Sequence, residues 1–275
     1  MKDLHYGIAT KAWQPIIGCS PLMPCAQRCW ARRTMARVAA CNPQKETFQV
    51  ILTPDRKQWS GEVALDVDHL YDPISWRKPA VIATGFHGDI GRLPAHDIAR
   101  ILGVIERCPQ HDFQLLTKVP EQLLASIEKL KLRPLANASI GCSVMFQDGA
   151  FGATTLRRHM LMLSLKGWRT HVWYEPALGP VNWTGWEWIE RLIYGGESGS
   201  APRANLVKWA KDSLAWTRWS STPEHKIAFV MKQLGAKPLD ADGHLVPRKG
   251  RKGDDLEAIP AELRVRELPE VARAV

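Results

Sequence analysis

The chain has 275 residues, is 45% hydrophobic and carries a formal net charge of +9. No apolar run approaches the roughly 20 residues of a membrane span, and six cysteines in so long a chain do not make the disulfide scaffold of a small secreted domain. The excess of Lys and Arg makes a polyanion, nucleic acid first, the expected partner, with a merely solvated basic surface as the alternative.

Taken in chain order, short apolar β-branched runs alternate with helical stretches. Strands are expected at 14–18, 48–52, 80–84 (AVIAT), 113–117, 138–143 (ASIGCS), 170–174, 191–195 (RLIYG) and 226–231. Helices are expected near 29–40, 95–107, 120–131, 153–166 and 205–219, and 53–79 reads as a long loop with short turns. Such alternation implies parallel strands joined by crossover helices. The expected fold class is therefore α/β, a (βα)8-like or partial TIM-type barrel over 1–235. Residues 236–275, with the run GHLVPRKGRKGDD, read as an extension docked on it. Most of the twelve Trp are expected in the core, with one or two free to stack on bases. Free cysteines and the lack of a targeting segment suggest a reducing cytoplasm, with no membrane partner.

Three cysteines crowd the run GCSPLMPCAQRC: Cys19, Cys25 and Cys29. Three thiolates from one loop can hold three irons of a [4Fe-4S] cluster and leave the fourth open. An open iron can bind and reductively cleave S-adenosylmethionine (SAM). Two other readings stand beside this one. A zinc site wants four N or S ligands, and the nearest further candidates, His5 and Cys41, make no familiar zinc spacing. Three unrelated buried thiols are the third reading, and the remaining cysteines, Cys41, Cys108 and Cys142, read as buried or incidental.

In α/β barrels the reactive face lies at the C-terminal ends of the strands. Here the apolar runs end in polar groups: His87 and Asp89, Lys118, Ser143, Glu175, Glu197 and Ser198, and Lys232. A SAM and substrate site would need such a set. Glu197, in Gly195-Gly196-Glu197-Ser198-Gly199, suits the ammonium or ribose of SAM, and its glycines permit close backbone approach. Glu175 is an alternative. Asp89 could bind a hydroxyl or act on substrate. Lys118 and Lys232 could meet a carboxylate or phosphate, or simply pair with a neighbouring strand-end Glu.

Several segments, in order, carry a resemblance: WQPIIGC (13–19), the cysteine run to Cys29, TGFHGDI (84–90) and LLTKVPE (115–121). They continue with IGCSV (140–144), YEPALGPV (174–181), YGGESG (194–199) and FVMKQLG (229–235). In these the chain resembles the phage-associated three-cysteine family of radical SAM-like proteins. The resemblance implies a radical SAM barrel with a [4Fe-4S] cluster on Cys19, Cys25 and Cys29. That family spaces its cysteines six then two, with Tyr after the last. Here the spacing is five then three, followed by Trp30, and Phe86-His87 replaces a small or Met-containing pair. His87 thereby becomes a residue to watch for substrate.

Some members of the wider class are phage enzymes that isomerise an amino-acid adduct on thymine in hypermodified DNA. The resemblance implies that activity here, with an external electron donor such as flavodoxin. The base would be flipped from DNA at a cost of roughly a few kcal/mol, and phosphate contacts would offset it. Candidate contacts are Arg32, Arg33, Arg37, Arg157, Arg158, Arg248, Lys249, Arg251 and Lys252. Repair of a DNA lesion, modification of RNA, and a zinc-stabilised nucleic-acid-binding module are the alternatives.

Overall fold

A computed structural model describes residues 8–199 and 201–269. The chain divides into two compact units, one of Lys11–Ile140 and one of residues 8–10 with 141–269. The division falls within the segment expected to form the barrel, and the residues after Gly235 belong to the second unit.

The first unit opens with β1 (Lys11–Trp13), β2 (Ile16–Ile17), α1 (Trp30–Cys41), α2 (Glu46–Val50) and β3 (Ala64–Leu65). It continues with β4 (Ala80–Thr84), α3 (Ala95–Glu106), β5 (His111–Thr117) and α4 (Pro120–Leu130). Strand β6 (Ala138–Ser143) falls across the division. The expected strand at 14–18 is two short ones. Pro15 has no N–H to give a ladder, so β1 pairs parallel with β4 while β2 turns away and pairs antiparallel with β3.

The strand expected at 48–52 is a correction: the segment is the end of α2, its C-terminal cap Ile51, and Leu52, which makes a single antiparallel bridge to Trp59. Phe48, Ile51 and Leu52 are the buried residues, at helical spacing. The Gln49 amide donates to the Ala39 and Asn42 carbonyls at the end of α1, at 3.0 and 3.1 Å.

Every residue of β4 and β5 is buried, as parallel strands covered on both faces require. Helix α3 turns Ile98, Ile101, Leu102 and Ile105 inward, and Pro120 starts α4, where its missing N–H costs nothing.

The second unit carries α5 (Ala153–Leu165), β7 (Arg169–Tyr174), β8 (Arg191–Gly195), β9 (Asn205–Leu206), α6 (Val207–Ser220), β10 (Ala228–Gln233) and β11 (Pro238–Leu239). Strands β7, β8 and β10 lie side by side and parallel. Among the described residues seven of the eight expected strand positions carry strand, the exception being 48–52. The tryptophans of this unit are largely core: Trp183 packs edge-on against Tyr174 and Trp186, and its indole N–H donates to Ser213 Oγ at 3.0 Å. Among the described residues no helix is long and apolar enough to cross a membrane.

Candidate metal centre and strand-end residues

In the first unit the cysteine loop leaves β2 through Gly18, whose φ of +96° suits glycine. A Cβ there would lie 2.3 Å from the Glu62 carbonyl oxygen. The Gly18 N–H donates to the His87 carbonyl at 3.0 Å, and Gly88 lies so flat on β2 that a Cβ would meet the Ile16–Ile17 peptide at 2.7 Å. The cysteine loop and the TGFHGD turn after β4 are thus stapled together through backbone, with a glycine at each point of approach.

One 3₁₀ turn, Ala26–Arg28, separates the second and third cysteines. Cys25 caps its start. Cys29 ends it and is also the N-cap of α1. The three-residue gap between Cys25 and Cys29 is the length of this turn. Cys19 is buried, Cys25 and Cys29 are half-buried, and none of the three is in a disulfide. They line one pocket together with Met23, Trp59, Phe86, His87 and Lys118. Cys41 sits at the far end of α1, about 18 Å of helix away from Cys29, and is exposed. His5 lies outside the described residues.

The sulfurs do not close on a single point. Among the described residues the one group of three His, Cys, Asp or Glu ligand atoms lying within 4.8 Å of one another is Asp240, Asp242 and His244, on the surface and far along the chain. Sulfurs sharing one tetrahedral zinc, with bonds of about 2.3 Å, stand about 3.8 Å apart.

Electrostatics in the pocket are strongly coupled. Burial pushes the Cys19 thiol up to about 12; Lys118 opposes this, and Asp89, Cys25 and Cys29 add to it. For Lys118, burial works against the charge. Cys25, Cys19, Asp89 and Cys29 outweigh it and raise the ammonium above its ordinary value. Burial lowers the His87 imidazole, which is neutral at pH 7. Its ring meets Trp30 edge-on, with centroids 5.6 Å apart.

Asp89 is brought near the cysteines and is buried. It accepts from Thr117 Oγ1 at 2.5 Å, from the Lys118 N–H at 2.8 Å and from the Gly91 N–H at 3.1 Å. With three donors on it, Asp89 fixes the end of β5 and so the position of Lys118.

The strand ends of the second unit hold two ion pairs. Lys232 Nζ sits 2.6 and 2.5 Å from the two Glu175 oxygens and 5.1 Å over the Trp173 ring. Glu197 is buried and accepts from the Arg203 backbone N–H at 2.7 Å and from its Nε at 3.0 Å; Arg203 Nη2 bonds the other oxygen. The glycines here admit protein groups: a Cβ on Gly195 would lie 2.9 Å from Glu175 Cδ, and one on Gly196 2.2 Å from the Leu234 carbonyl oxygen. Ser143 is buried at the end of β6 and Ser198 is half-buried. Arg203 was not anticipated from the sequence, since no local signal distinguishes it from any other loop arginine. Trp59, Phe86 and Met23 join the cysteine pocket only through tertiary packing.

Among the expected phosphate contacts, Arg32, Arg157 and Arg248 donate to backbone carbonyls, and Lys249 pairs with Asp255 at 3.0 Å.

Over residues 6–260 the chain matches the family described as "Protein of unknown function (DUF5131)", and it belongs to that family. The description assigns no activity. No curated protein matches the chain, and no solved structure matches it.

Proposed function

We propose that the chain is a radical SAM enzyme of barrel type that acts on a nucleobase in DNA, isomerising an amino-acid adduct on thymine in phage DNA hypermodification. One observation supports the cofactor assignment: three free cysteines of one loop line one pocket. Their three sulfurs do not all lie within 4.8 Å of one another, which is compatible with ligands on separate irons. The residues fit a [4Fe-4S] cluster held by Cys19, Cys25 and Cys29. When bound, the cluster supplies the electron that cleaves SAM and yields a carbon radical able to take a hydrogen atom from substrate.

The remaining roles belong to the chain. Lys118 sets a positive charge among three thiolates and offsets their repulsion. Asp89 acts as a positioning residue for Lys118. Neutral His87, on the wall of the pocket, can hold or accept a proton at a ring nitrogen. In the second unit the Glu175–Lys232 pair carries the two kinds of charge expected for the amino-acid end of SAM, paired here with each other. Glu197, held by Arg203, is the candidate for the ribose hydroxyls, with Gly195, Gly196 and Ser198 beside it in sequence and Ser143 at the end of β6. The basic surface suits a DNA substrate, and an external donor such as flavodoxin would supply the electron.

A second reading is a zinc-stabilised nucleic-acid-binding module, in which His87 would complete a Cys3His site only if the three sulfurs drew together around one ion.

Anaerobic purification and metal analysis separate the two. The proposal expects iron and sulfide, a brown protein, and methionine with 5′-deoxyadenosine on reduction with SAM. Cys25→Ala should abolish both iron retention and SAM cleavage. Zinc without iron or sulfide would support the second reading. Mass spectrometry of nucleosides after reaction separates a DNA target from an RNA one.

A further inference from the structure

We infer that the exposed face of α1 is a track for single-stranded DNA, with Trp30 as a stacking platform and Arg33 and Arg37 as phosphate contacts. The inference rests on the proposed function only in taking DNA as the polyanion.

Helix α1 reads WARRTMARVAAC, with three arginines and no acid. Its buried side is small and regular: Ala31, Met35 and Ala39, one per turn. Its outward side presents Trp30, Arg33 and Arg37, all exposed. At positions i, i+3 and i+7 these form one stripe, the arginines about 4.5 and 10.5 Å along the axis from the tryptophan. Among the described residues neither arginine has an acidic partner. Several other surface cations are paired, as in Arg100–Asp97, Arg133–Glu106, Lys208–Asp212 and Arg218–Glu267. The third arginine, Arg32, is turned aside to the Arg56 carbonyl at 3.2 Å.

Trp30 is the other half of the argument. It is 50% exposed although it directly follows a cysteine of the pocket, and its ring is propped edge-on by His87. An indole held at that place, with two unpaired cations continuing along the helix, matches the aromatic-plus-cation pattern of single-strand binding. A duplex hides the faces of its bases in the stack, so the tryptophan can contribute only where a base is unstacked. An acidic peptide would satisfy the arginines and leave the indole without a role.

The test is fluorescence anisotropy of the full-length protein with a labelled single-stranded DNA oligonucleotide, with its duplex, and with heparin as competitor, across a salt series. Wild type should prefer the single strand. Arg33→Gln/Arg37→Gln should reduce the slope of log K against log salt by about 1.4, two contacts at about 0.7 each. Trp30→Ala should weaken single-strand binding about 5- to 150-fold with the slope unchanged, and Trp30→Phe should keep most of the affinity. An unchanged slope in the double variant would overturn the inference. So would a Trp30→Ala protein that binds like wild type, with heparin competing equally in both. All three variants are on the exposed face, and circular dichroism checks their fold. Iron and sulfide are measured on the same preparations. Iron retained with no oligonucleotide binding defeats this inference alone. The expected binding pattern on a protein that never takes up iron defeats the cluster assignment alone.

Discussion

Cys19 is the residue on which the chemistry of the pocket turns. Its thiol, displaced from an ordinary 9.0 to about 12 by burial, is protonated at neutral pH in the metal-free protein. Ligation therefore has to expel a proton, and it leaves a buried sulfur beside the Lys118 ammonium. The same shift fixes a pH dependence of stability. A thiol with a raised folded value binds its proton in the folded state over a range where the unfolded chain has released it. The stabilisation is complete below about 9 and is lost as pH rises towards about 12. The unfolding free energy of the metal-free protein, followed by denaturant titration, should fall across that window by a few kcal/mol overall. Burial raises Cys108 as well, so the contribution of Cys19 is read by comparison. The Cys19→Ala protein should show a shallower fall, and an identical one would remove Cys19 from the explanation.

At the level of elements, the cysteine loop owes its shape to its neighbours more than to its own sequence. The positive φ of Gly18, the staple to the His87 carbonyl and the flat approach of Gly88 leave no room for a side chain at either glycine. Gly18→Ala forces an alanine into a left-handed conformation with its methyl carbon 2.3 Å from a carbonyl oxygen. It should lower stability by about 2 kcal/mol or more and reduce bound iron per chain in anaerobic reconstitution. Gly103 is the control. It lies in α3, and a methyl carbon there would have nothing within 4 Å, so Gly103→Ala should stabilise slightly, by up to about 1 kcal/mol. Equal iron content in the two variants would show that the staple does not shape the ligand loop.

For the molecule as a whole, a ligand that binds only the folded chain raises its melting temperature by mass action. Anaerobic incubation with iron and sulfide should raise that of wild type and leave that of Cys25→Ala unchanged, by differential scanning fluorimetry. How much of this was legible in the sequence depends on where each signal is stored. The AVIAT, ASIGCS and RLIYG strands were readable because a parallel strand is apolar on both faces and announces itself locally. The three cysteines were readable for the same reason, being neighbours in the chain. The 48–52 segment was misread because a short apolar run fits either period, and only the burial of Phe48, Ile51 and Leu52 decides for a helix. Pro15 lies inside the strand expected at 14–18, and the break it makes between β1 and β2 shows only in the pairing. Asp89 and Glu197 were recognised as notable, but not as already engaged. Their partners, Thr117 and Lys118 for one and Arg203 for the other, are set by the fold.

Cys29 ends the cysteine turn and begins the arginine helix, so one backbone joint serves both. If the proposed cluster and the proposed DNA track both hold, an oligonucleotide along Arg33 and Arg37 bears on a helix whose first joint carries a ligand sulfur, and the magnetic resonance spectrum of the reconstituted protein should change when it binds.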